Sequence, residues 1–345
     1  MRVTYWTTSC LEPRIETISK EIFDLAARFS DALIFSVSPH LSVRLSGRDR
    51  CVGFHPSLDA LLRLAIPLIE RMTDINHIYS EVSPWLYFKT LRQKPTVLTI
   101  ASAKGEPIAE FVDRCDVIAV QREGMKSRLN GCNIDSRKVR LVYPGIDLSS
   151  FSRRSRPMDF CRPKILLATF PRTAEELEGR GVLFLIEVAK RYPEIEFCLV
   201  SRPWRSGGTG LSAVKEVLDR DPVANVYVMN GVQEAMGELY RRHDFTVIPY
   251  TTADSGKECP RSLIESMACG VPILISDAAP FSSFVAQHNC GCVYSRSVEG
   301  FALALEAGLR SYLQISKSAA ECAHTYFDRE QTYRAYAGIY GSLIS

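Results

Sequence analysis

The stretch GKECPRSLIESMACGVPILIS, residues Gly256 to Ser276, decides the fold prediction because it combines a loop, a short helix and a buried strand. Pro260 suits the first position of a helix, since its ring fixes φ and its missing N–H would have no partner there. Residues 260–268 carry apolar side chains at helical spacing, and Gly270 is placed to end the helix. The apolar run Val271 to Ile275 is typical of a strand.

The start of this helix is suited to binding a diphosphate. A helix N-terminus offers unpaired N–H groups and the positive end of the helix dipole. The residues expected to bind there are Gly256, Pro260, Arg261, Ser262 and Leu263. Glu265 places a carboxylate further along the same helix, where an ion pair with Arg261, four residues earlier, is the alternative to a ligand-binding role.

The string PRSLIESMACGVPIL and the preceding run RRHDFTVIPY (Arg241 to Tyr250) resemble the donor-binding segment of retaining GT-B glycosyltransferases of glycosyltransferase family 4. The residues that match the family pattern are Asp244, Pro249, Glu265, Met267, Ala268, Cys269, Gly270 and Pro272. This resemblance implies that Glu265 binds the ribose hydroxyls of a nucleotide-sugar donor.

The resemblance breaks at the family's other glutamate, which contacts the donor sugar. That position is Lys257 in this chain, and Glu258 lies one residue further on. A carboxylate accepts hydrogen bonds from sugar hydroxyls and stabilises an oxocarbenium-like state, whereas an ammonium group opposes the developing positive charge. We therefore predict that Glu258 serves the donor sugar as a catalytic residue, with Lys257 as the alternative.

Two further loops resemble donor-binding loops of the family. The loop ATFPRTAEELEGRGV supplies Arg172 and Arg180 where family members carry an arginine and a lysine that bind the diphosphate. An arginine in the lysine position preserves the charge but changes the geometry. Two ordinary surface arginines are the alternative. Gly231 and Val232 resemble a turn beside the nucleobase.

The rest of the chain alternates short apolar runs with helical patterns, which indicates doubly wound parallel sheets of the α/β class. The resemblance implies a GT-B architecture, in which two Rossmann-like domains face each other across a cleft. The predicted division is an acceptor-side domain over 1–150, a linker over 151–163, a donor-binding domain over 164–325, and a helix over 326–345 that returns to the N-terminal domain. A helix is also predicted over residues 107–112. His77 resembles a histidine that faces the cleft in many family members, although a structural role is more usual for a lone histidine in a strand.

Composition excludes several classes of protein. The net charge of +3 over 345 residues is too small to indicate a nucleic-acid partner. Eleven cysteines without a metal-ligand spacing suit a reducing compartment, and no apolar run is long enough to cross a bilayer. We therefore expect a cytoplasmic protein, with peripheral contact at the inner face of a membrane left open. The D-x-D string over 219–221 is interpreted as a helix end, so no metal and no resident cofactor are expected.

The reaction implied by the resemblance is transfer of a sugar from a nucleotide-diphosphate-sugar co-substrate to a hydroxyl, with retention of configuration. A nucleotide-sugar-binding protein without catalysis and a nucleotide-sugar epimerase are the alternatives. The sequence does not decide between a glycan, a lipid-linked and a small-molecule acceptor, nor does it identify the nucleotide or the sugar.

Overall fold

A computed structural model describes residues 1–14, 16–29, 31–38, 42–44, 50–80, 88, 90–91, 93–102, 112, 114–131, 134–153, 161–203 and 208–344. The chain divides into two compact units. Unit 1 comprises Met1–Gly145, Lys257–Cys259 and Glu330–Ser345, and unit 2 comprises Ile146–Gly256 and Pro260–Arg329. Within the described residues, no helix is both long and apolar enough to cross a membrane.

Unit 1 contains an eight-stranded sheet with the order β3-β4-β2-β1-β5-β6-β7-β8. Its strands are β1 Val3–Thr7, β2 Leu33–Val37, β3 Ser42–Arg44, β4 Cys51–Phe54, β5 Ile75–Ser80, β6 Thr96–Ile100, β7 Val117–Val120 and β8 Val139–Leu141. Its helices are α1 Thr17–Ala26, α2 Asp59–Glu70, α3 Glu123–Gly131 and the final helix α12 Arg329–Ile344, whose first residue belongs to unit 2. Strand β3 pairs antiparallel with β4, and the other pairings are parallel.

Unit 2 contains a six-stranded parallel sheet with the order β11-β10-β9-β12-β13-β14. Its strands are β9 Lys164–Leu167, β10 Glu196–Ser201, β11 Val226–Asn230, β12 Phe245–Ile248, β13 Ile273–Ser276 and β14 Gly291–Tyr294. Its helices are α4 Glu176–Gly179, α5 Val182–Arg191, α6 Gly210–Arg220, α7 Met236–Arg241, α8 Arg261–Ala268, α9 Ser282–Gln287, α10 Val298–Arg310 and α11 Tyr312–Tyr326.

Both sheets are held by apolar strand residues buried on two faces, as parallel sheets require. In unit 2, Ile165, Leu167 and Val247 are fully buried in a cluster that also contains residues of α5 and α10. In unit 1, Tyr336 and Tyr340 of α12 belong to the cluster that buries β1 and β5. The predicted α/β fold built of Rossmann-like parallel sheets is therefore confirmed.

The structure corrects several predicted boundaries. Pro260 is not the first helical residue but the residue before it, because its ψ of 127° is extended and α8 begins at Arg261. Strand β13 begins at Ile273 rather than Val271. The sequence analysis missed β3, β4 and β14, two of which contain glycine, a weak strand former. Most of the helix predicted over 107–112 and linker residues 154–160 lie outside the described residues.

Candidate active site

The candidate site in unit 2 lies at the point where the order of its strands reverses. β9 lies between β10 and β12, so the connections that leave β9 and β12 run to opposite sides of the sheet. Ligands of open α/β sheets bind at the carboxyl ends of strands at such a switch point. The loop after β9 carries Arg172 and Arg180, and the loop after β12 carries Gly256 and leads to α8. The fold therefore places the predicted diphosphate-binding residues of unit 2 on two neighbouring loops.

Close backbone packing joins these two loops. Gly181 has a φ of +71°, and a Cβ at this position would lie 1.9 Å from the carbonyl oxygen of Pro249 at the end of β12. Gly256 packs on the ring of Tyr250, where a Cβ would come within 2.2 Å of a ring carbon. A side chain at position 181 would therefore push the two loops apart, whereas one at position 256 would displace the Tyr250 ring within the loop after β12.

Arg180 is held over Tyr250 with part of its guanidinium available. Its Nη1 donates to the Tyr250 hydroxyl at 2.9 Å, and its guanidinium carbon lies 5.2 Å from the ring centre. Its buried Nε has no hydrogen-bond partner within the described residues, and the nearest carboxylate oxygen, on Glu176, is 4.0 Å away. A buried donor without a partner costs about 1–3 kcal/mol, which an anionic ligand would recover.

Arg172 lies on the same loop and is exposed. Its backbone N–H donates to Oε2 of Glu176 at 2.9 Å, the same oxygen that lies nearest to Arg180 Nε. Glu176 therefore joins the backbone of Arg172 to the side chain of Arg180, while the Arg172 guanidinium remains on the surface of the loop.

The first turn of α8 has the polar groups expected at an anion site. Pro260 precedes the helix, and no side chain caps its N-terminus. The N–H of Leu263 donates to the Pro260 carbonyl at 3.0 Å. The N–H groups of Arg261 and Ser262 therefore have no carbonyl acceptor within the helix. The Ser262 hydroxyl is buried without a hydrogen-bond partner among the described residues.

Glu265 lies one turn further along α8, and both of its carboxylate oxygens are engaged. Arg261 Nε donates to Oε1 at 2.8 Å, and the Tyr240 hydroxyl donates to Oε2 at 3.1 Å. The ion pair with Arg261 is therefore present, but the two side chains are only 10% and 12% exposed, so it is not an ordinary surface pair. Burial, aided by the Glu265 carboxylate, raises the pKa of Tyr240 and keeps it a donor. A carboxylate has about four acceptor positions, so Glu265 retains capacity for ligand hydroxyls.

Gly231 and Val232 follow β11 at the same carboxyl edge of the sheet. β11 is the edge strand, two places from β9, so this turn lies further from the switch point than Arg180. Gly231 has a φ of +132° and donates its N–H to the Ser201 carbonyl, and Val232 is 45% exposed.

The candidate site lies in a segment that resembles a known protein family. The sequence model of the family described as Glycosyl transferases group 1 matches residues 169–311, which include both loops and α8. Over these residues, which are less than half of the chain, the protein is similar to glycosyl transferases group 1. A D-inositol 3-phosphate glycosyltransferase of Mycobacteroides abscessus is 23% identical over 274 residues, which are 72% of this chain but only 60% of that relative.

Two solved structures share the GT-B fold over 99% of this chain. Anabaena HepE in complex with UDP matches with a TM-score of 0.78 at 14% identity, covering 99% of this chain and 100% of that one. Sucrose-phosphate synthase of Thermosynechococcus elongatus matches with a TM-score of 0.78 at 14% identity, covering 99% of each chain. These likenesses establish the fold.

The segment that contains Lys257 and Glu258 packs within unit 1. Lys257 forms an antiparallel bridge with Ser102, and its Nζ donates to Oε1 of Glu21 on α1 at 3.1 Å. Glu258 is fully buried and forms an ion pair with Arg122 after β7. The Glu258 carboxylate thus contacts Arg122, and its assignment to the donor sugar stays a prediction.

His77 is a buried member of a hydrogen-bond network in unit 1. Its Nδ1 lies 2.6 Å from the Tyr340 hydroxyl and its Nε2 lies 2.7 Å from Thr99 Oγ1. Thr99 in turn lies 2.8 Å from the Tyr336 hydroxyl. Burial lowers the pKa of His77 to about 3, so the neutral ring is the folded form at neutral pH. The network joins β5 and β6 to α12 and gives His77 a structural role.

We expect His77 to make unit 1 sensitive to acid. Its pKa is 6.5 when unperturbed and about 3 in the folded chain, so below pH 6.5 the unfolded chain binds a proton that the folded chain does not. The free energy of unfolding should then fall by up to about 1.4 kcal/mol per pH unit between these values. His77→Gln should lose this part of the pH dependence in urea unfolding from pH 7 to pH 4.5, whereas the exposed His324→Gln should not. Parallel curves for wild type and His77→Gln would show that His77 does not titrate this way.

Sequence reasoning missed the residues that hold the predicted ones in place. Tyr240 donates a hydrogen bond to Glu265, and the Tyr250 ring packs on Gly256. The Glu176 carboxylate lies close to Arg180. Tyr250 is the last residue of the run RRHDFTVIPY, so its position at the carboxyl end of a strand could have identified it as a site residue. Tyr240 lies just before that run, and nothing in the local sequence indicates that its hydroxyl reaches α8.

Proposed function

We propose that the chain transfers a sugar from a nucleotide-diphosphate-sugar to an acceptor hydroxyl, with retention of configuration and without a metal ion. The observation that carries this proposal is the arrangement at the switch point of unit 2. Arg180, with its unpartnered Nε, and the uncapped N-terminus of α8 supply positive potential on two packed loops, and Glu265 supplies a carboxylate one turn away.

This arrangement suits the separate parts of a nucleotide-sugar donor. The helix N-terminus and the arginine suit the diphosphate, and the Glu265 carboxylate suits a pair of vicinal ribose hydroxyls. HepE has been crystallised with UDP and with UDP-glucose, which supports a nucleotide-sugar donor for this fold. Gly231 and Val232, further along the same edge, are the proposed neighbours of the nucleobase.

The proposed chemistry is stabilisation of the leaving diphosphate. As the bond between the sugar and the diphosphate breaks, negative charge grows on the diphosphate, and fixed donors aimed at that charge lower the barrier without reorganising. Arg172, Arg180 and the Arg261 and Ser262 amides are the groups proposed to do this. Because these groups already supply positive potential, the proposal needs no metal ion, and activity should persist in EDTA.

A second candidate function is nucleotide-sugar binding without turnover. The observation that favours it is that Lys257 occupies the position of the family's sugar-contacting glutamate while the adjacent Glu258 is fully buried against Arg122. The two candidates differ in a single outcome, which is whether nucleoside diphosphate is released from the bound donor.

We expect Arg180→Ala and Arg172→Ala to weaken binding of a nucleoside diphosphate more than binding of the nucleoside. Only the diphosphate carries the charge that these side chains would meet, and a charged hydrogen bond contributes about 1.5–3 kcal/mol, or roughly tenfold or more in Kd. Thermal shift and isothermal titration with UDP, GDP, ADP and the corresponding nucleosides measure this difference.

The matched control for the arginine variants is Arg220→Ala. Arg220 lies at the end of α6, is largely exposed and pairs with Glu216 on the same helix. Arg220→Ala should leave the affinities for the nucleoside diphosphate and for the nucleoside unchanged. Equal losses for diphosphate and nucleoside in Arg180→Ala would assign this side chain to the structure of the loop.

A further inference from the structure

Strand β11 leaves one edge of the sheet of unit 2 open. It is the last strand in the order of that sheet, and within the described residues only β10 pairs with it. Its sequence, VYVMN, contains neither a charged residue nor a proline. Natural edge strands are commonly protected from pairing with another chain by charges or by proline. Strand β11 lacks both kinds of protection, so its edge is suited to pairing with a further strand.

The backbone of β11 directs alternate peptide groups away from the sheet. The Asn225 carbonyl accepts from an N–H of β10 at 2.9 Å, and the Gly231 N–H donates to a carbonyl of β10 at 3.1 Å. Because hydrogen bonds alternate along a strand, the odd-numbered residues between these two also bond inward. The groups of Val226, Val228 and Asn230 therefore point outward, apart from the Val226 N–H, which is bound in the preceding turn.

The two faces of β11 differ in what covers them. Val226 and Val228 pack against the hydrophobic core of unit 2. Tyr227 and Met229 point to the opposite face, where they are 49% and 37% exposed. Together with Leu239 of α7 they line an open groove of about 300 Å³. The six residues of α7 leave both side chains exposed, so an apolar surface continues up to the free edge.

The charged residues at the rim of this groove are already paired with neighbours. Lys164 Nζ lies 3.0 Å from Glu196 Oε2, and Arg242 forms an ion pair with Glu238. Each of these two pairs is neutral, which disfavours a strongly charged ligand. An uncharged protein surface is the partner that suits both the groove and the edge of β11.

We propose that β11 pairs antiparallel with β11 of a second copy of this chain, around a twofold axis at Val228. In this register the two Val228 residues exchange hydrogen bonds, and the outward groups of Val226 meet those of Asn230, which gives about four cross-strand hydrogen bonds. Tyr227 of one copy lies opposite Met229 of the other in a non-hydrogen-bonded pair, where side chains come closest. A thioether sulfur packs favourably on an aromatic ring at such a separation.

Self-complementarity makes a second copy a better partner than an unrelated strand. The axis at Val228 sets outward backbone groups against outward backbone groups along the whole strand, whereas a shift of one residue would set them against inward ones. The same axis brings the uncharged face of one strand against its own copy without like charges. Because the pairing uses the free edge of β11 in both copies, it closes at a dimer.

The test is analytical ultracentrifugation of the full chain from roughly 1 to 100 µM, since one short strand pair makes a small interface. We expect a dimer whose fraction rises with concentration. Tyr227→Lys/Met229→Lys should lower the association constant by at least about tenfold, because each lysine would face a lysine of the second copy. Tyr227→Lys/Met229→Glu should associate at least about tenfold more tightly than that variant, because in this register each lysine would face a glutamate. Association is measured without turnover, so the result does not depend on the proposed transferase activity.

The matched control is Leu303→Lys/Leu313→Lys on α10 and α11 of unit 2. These leucines are 66% and 82% exposed, so the control adds the same charge at exposed apolar positions away from β11. This control should dimerise like the wild type, and all variants should keep the wild-type Tm. The proposal is overturned if the wild type stays monomeric at every concentration, if the control loses association equally, or if the two β11 variants associate equally.

Discussion

Arg122→Ala is expected to lower the free energy of unfolding of unit 1 by about 3 kcal/mol. The substitution leaves the Glu258 carboxylate, which is fully buried, without its arginine, and an uncompensated buried charge costs about 3–5 kcal/mol. The lower end of this range applies because the Arg122 side chain is itself 16% exposed and its loss admits water. Urea unfolding at pH 7, followed by far-ultraviolet circular dichroism, measures the loss.

An exposed ion pair provides the control for Arg122→Ala. Arg310 donates to Glu306 across one turn of α10, and both side chains are more than half exposed. Arg310→Ala should therefore change the free energy of unfolding by less than about 1 kcal/mol. If Arg122→Ala is no more destabilising than this control, the buried pair does not stabilise unit 1.

The double variant Arg122→Met/Glu258→Leu separates the structural role of Glu258 from a catalytic one. Replacing both partners of a buried pair by apolar side chains of similar size is often neutral for stability, so the double variant should recover most of the loss. Turnover that returns together with stability would show that the Glu258 carboxylate is not needed for catalysis. A stable double variant without turnover would instead support the sequence-based prediction that Glu258 serves the donor sugar.

Glu265→Ala is expected to weaken binding of a nucleoside diphosphate by roughly tenfold to a hundredfold. Hydrogen bonds from ligand hydroxyls to a carboxylate contribute about 1.5–3 kcal/mol, and this carboxylate is already fixed in place by Arg261 and Tyr240. Because it is prepositioned, little entropy is lost when the ligand binds. Isothermal titration with the nucleotide that gives the largest thermal shift measures the change.

Three further variants show whether the Glu265 carboxylate acts directly. Glu265→Gln keeps an acceptor for the buried Tyr240 hydroxyl, so it tests the loss of charge with less damage to packing. Tyr240→Phe removes the hydroxyl that holds Oε2 and should weaken binding less than Glu265→Ala does. Glu306→Ala removes an exposed carboxylate of unit 2 and should have no effect. Unchanged affinity in a folded Glu265→Ala variant would contradict the assignment.

The repeating fold was predictable because it depends on local patterns. Buried strands such as Val117–Val120 are continuous apolar runs, and the buried residues of α5, Val182–Arg191, recur at helical spacing. Strands β4 and β14 were missed because each contains a glycine, and the cysteine and valine beside it form too short an apolar run to predict a strand. Their strand structure comes from pairing with β2 and β13, which is tertiary information.

The surroundings of the candidate site were less predictable because its contacts join distant parts of the chain. The loop containing Lys257 and Glu258 directly precedes α8, and its sequence neighbours suggested a donor-side role. In the structure its charges pair with Glu21 and Arg122, which are 236 and 136 residues away. No local spacing in the sequence indicates either pair. Gly181, in contrast, is explained only by the close approach of the loop after β9 to Pro249 in the loop after β12.

Release of nucleoside diphosphate from a panel of UDP-, GDP- and ADP-sugars tests the central claim most directly. The wild-type chain should release the diphosphate from at least one of these donors in EDTA, and release should fall in Arg180→Ala and in Glu265→Ala. Binding of a donor without release would leave a nucleotide-sugar-binding protein, and conversion of the sugar without release would indicate an epimerase. Either result, or the absence of both binding and release for every donor, would contradict the proposed glycosyl transfer.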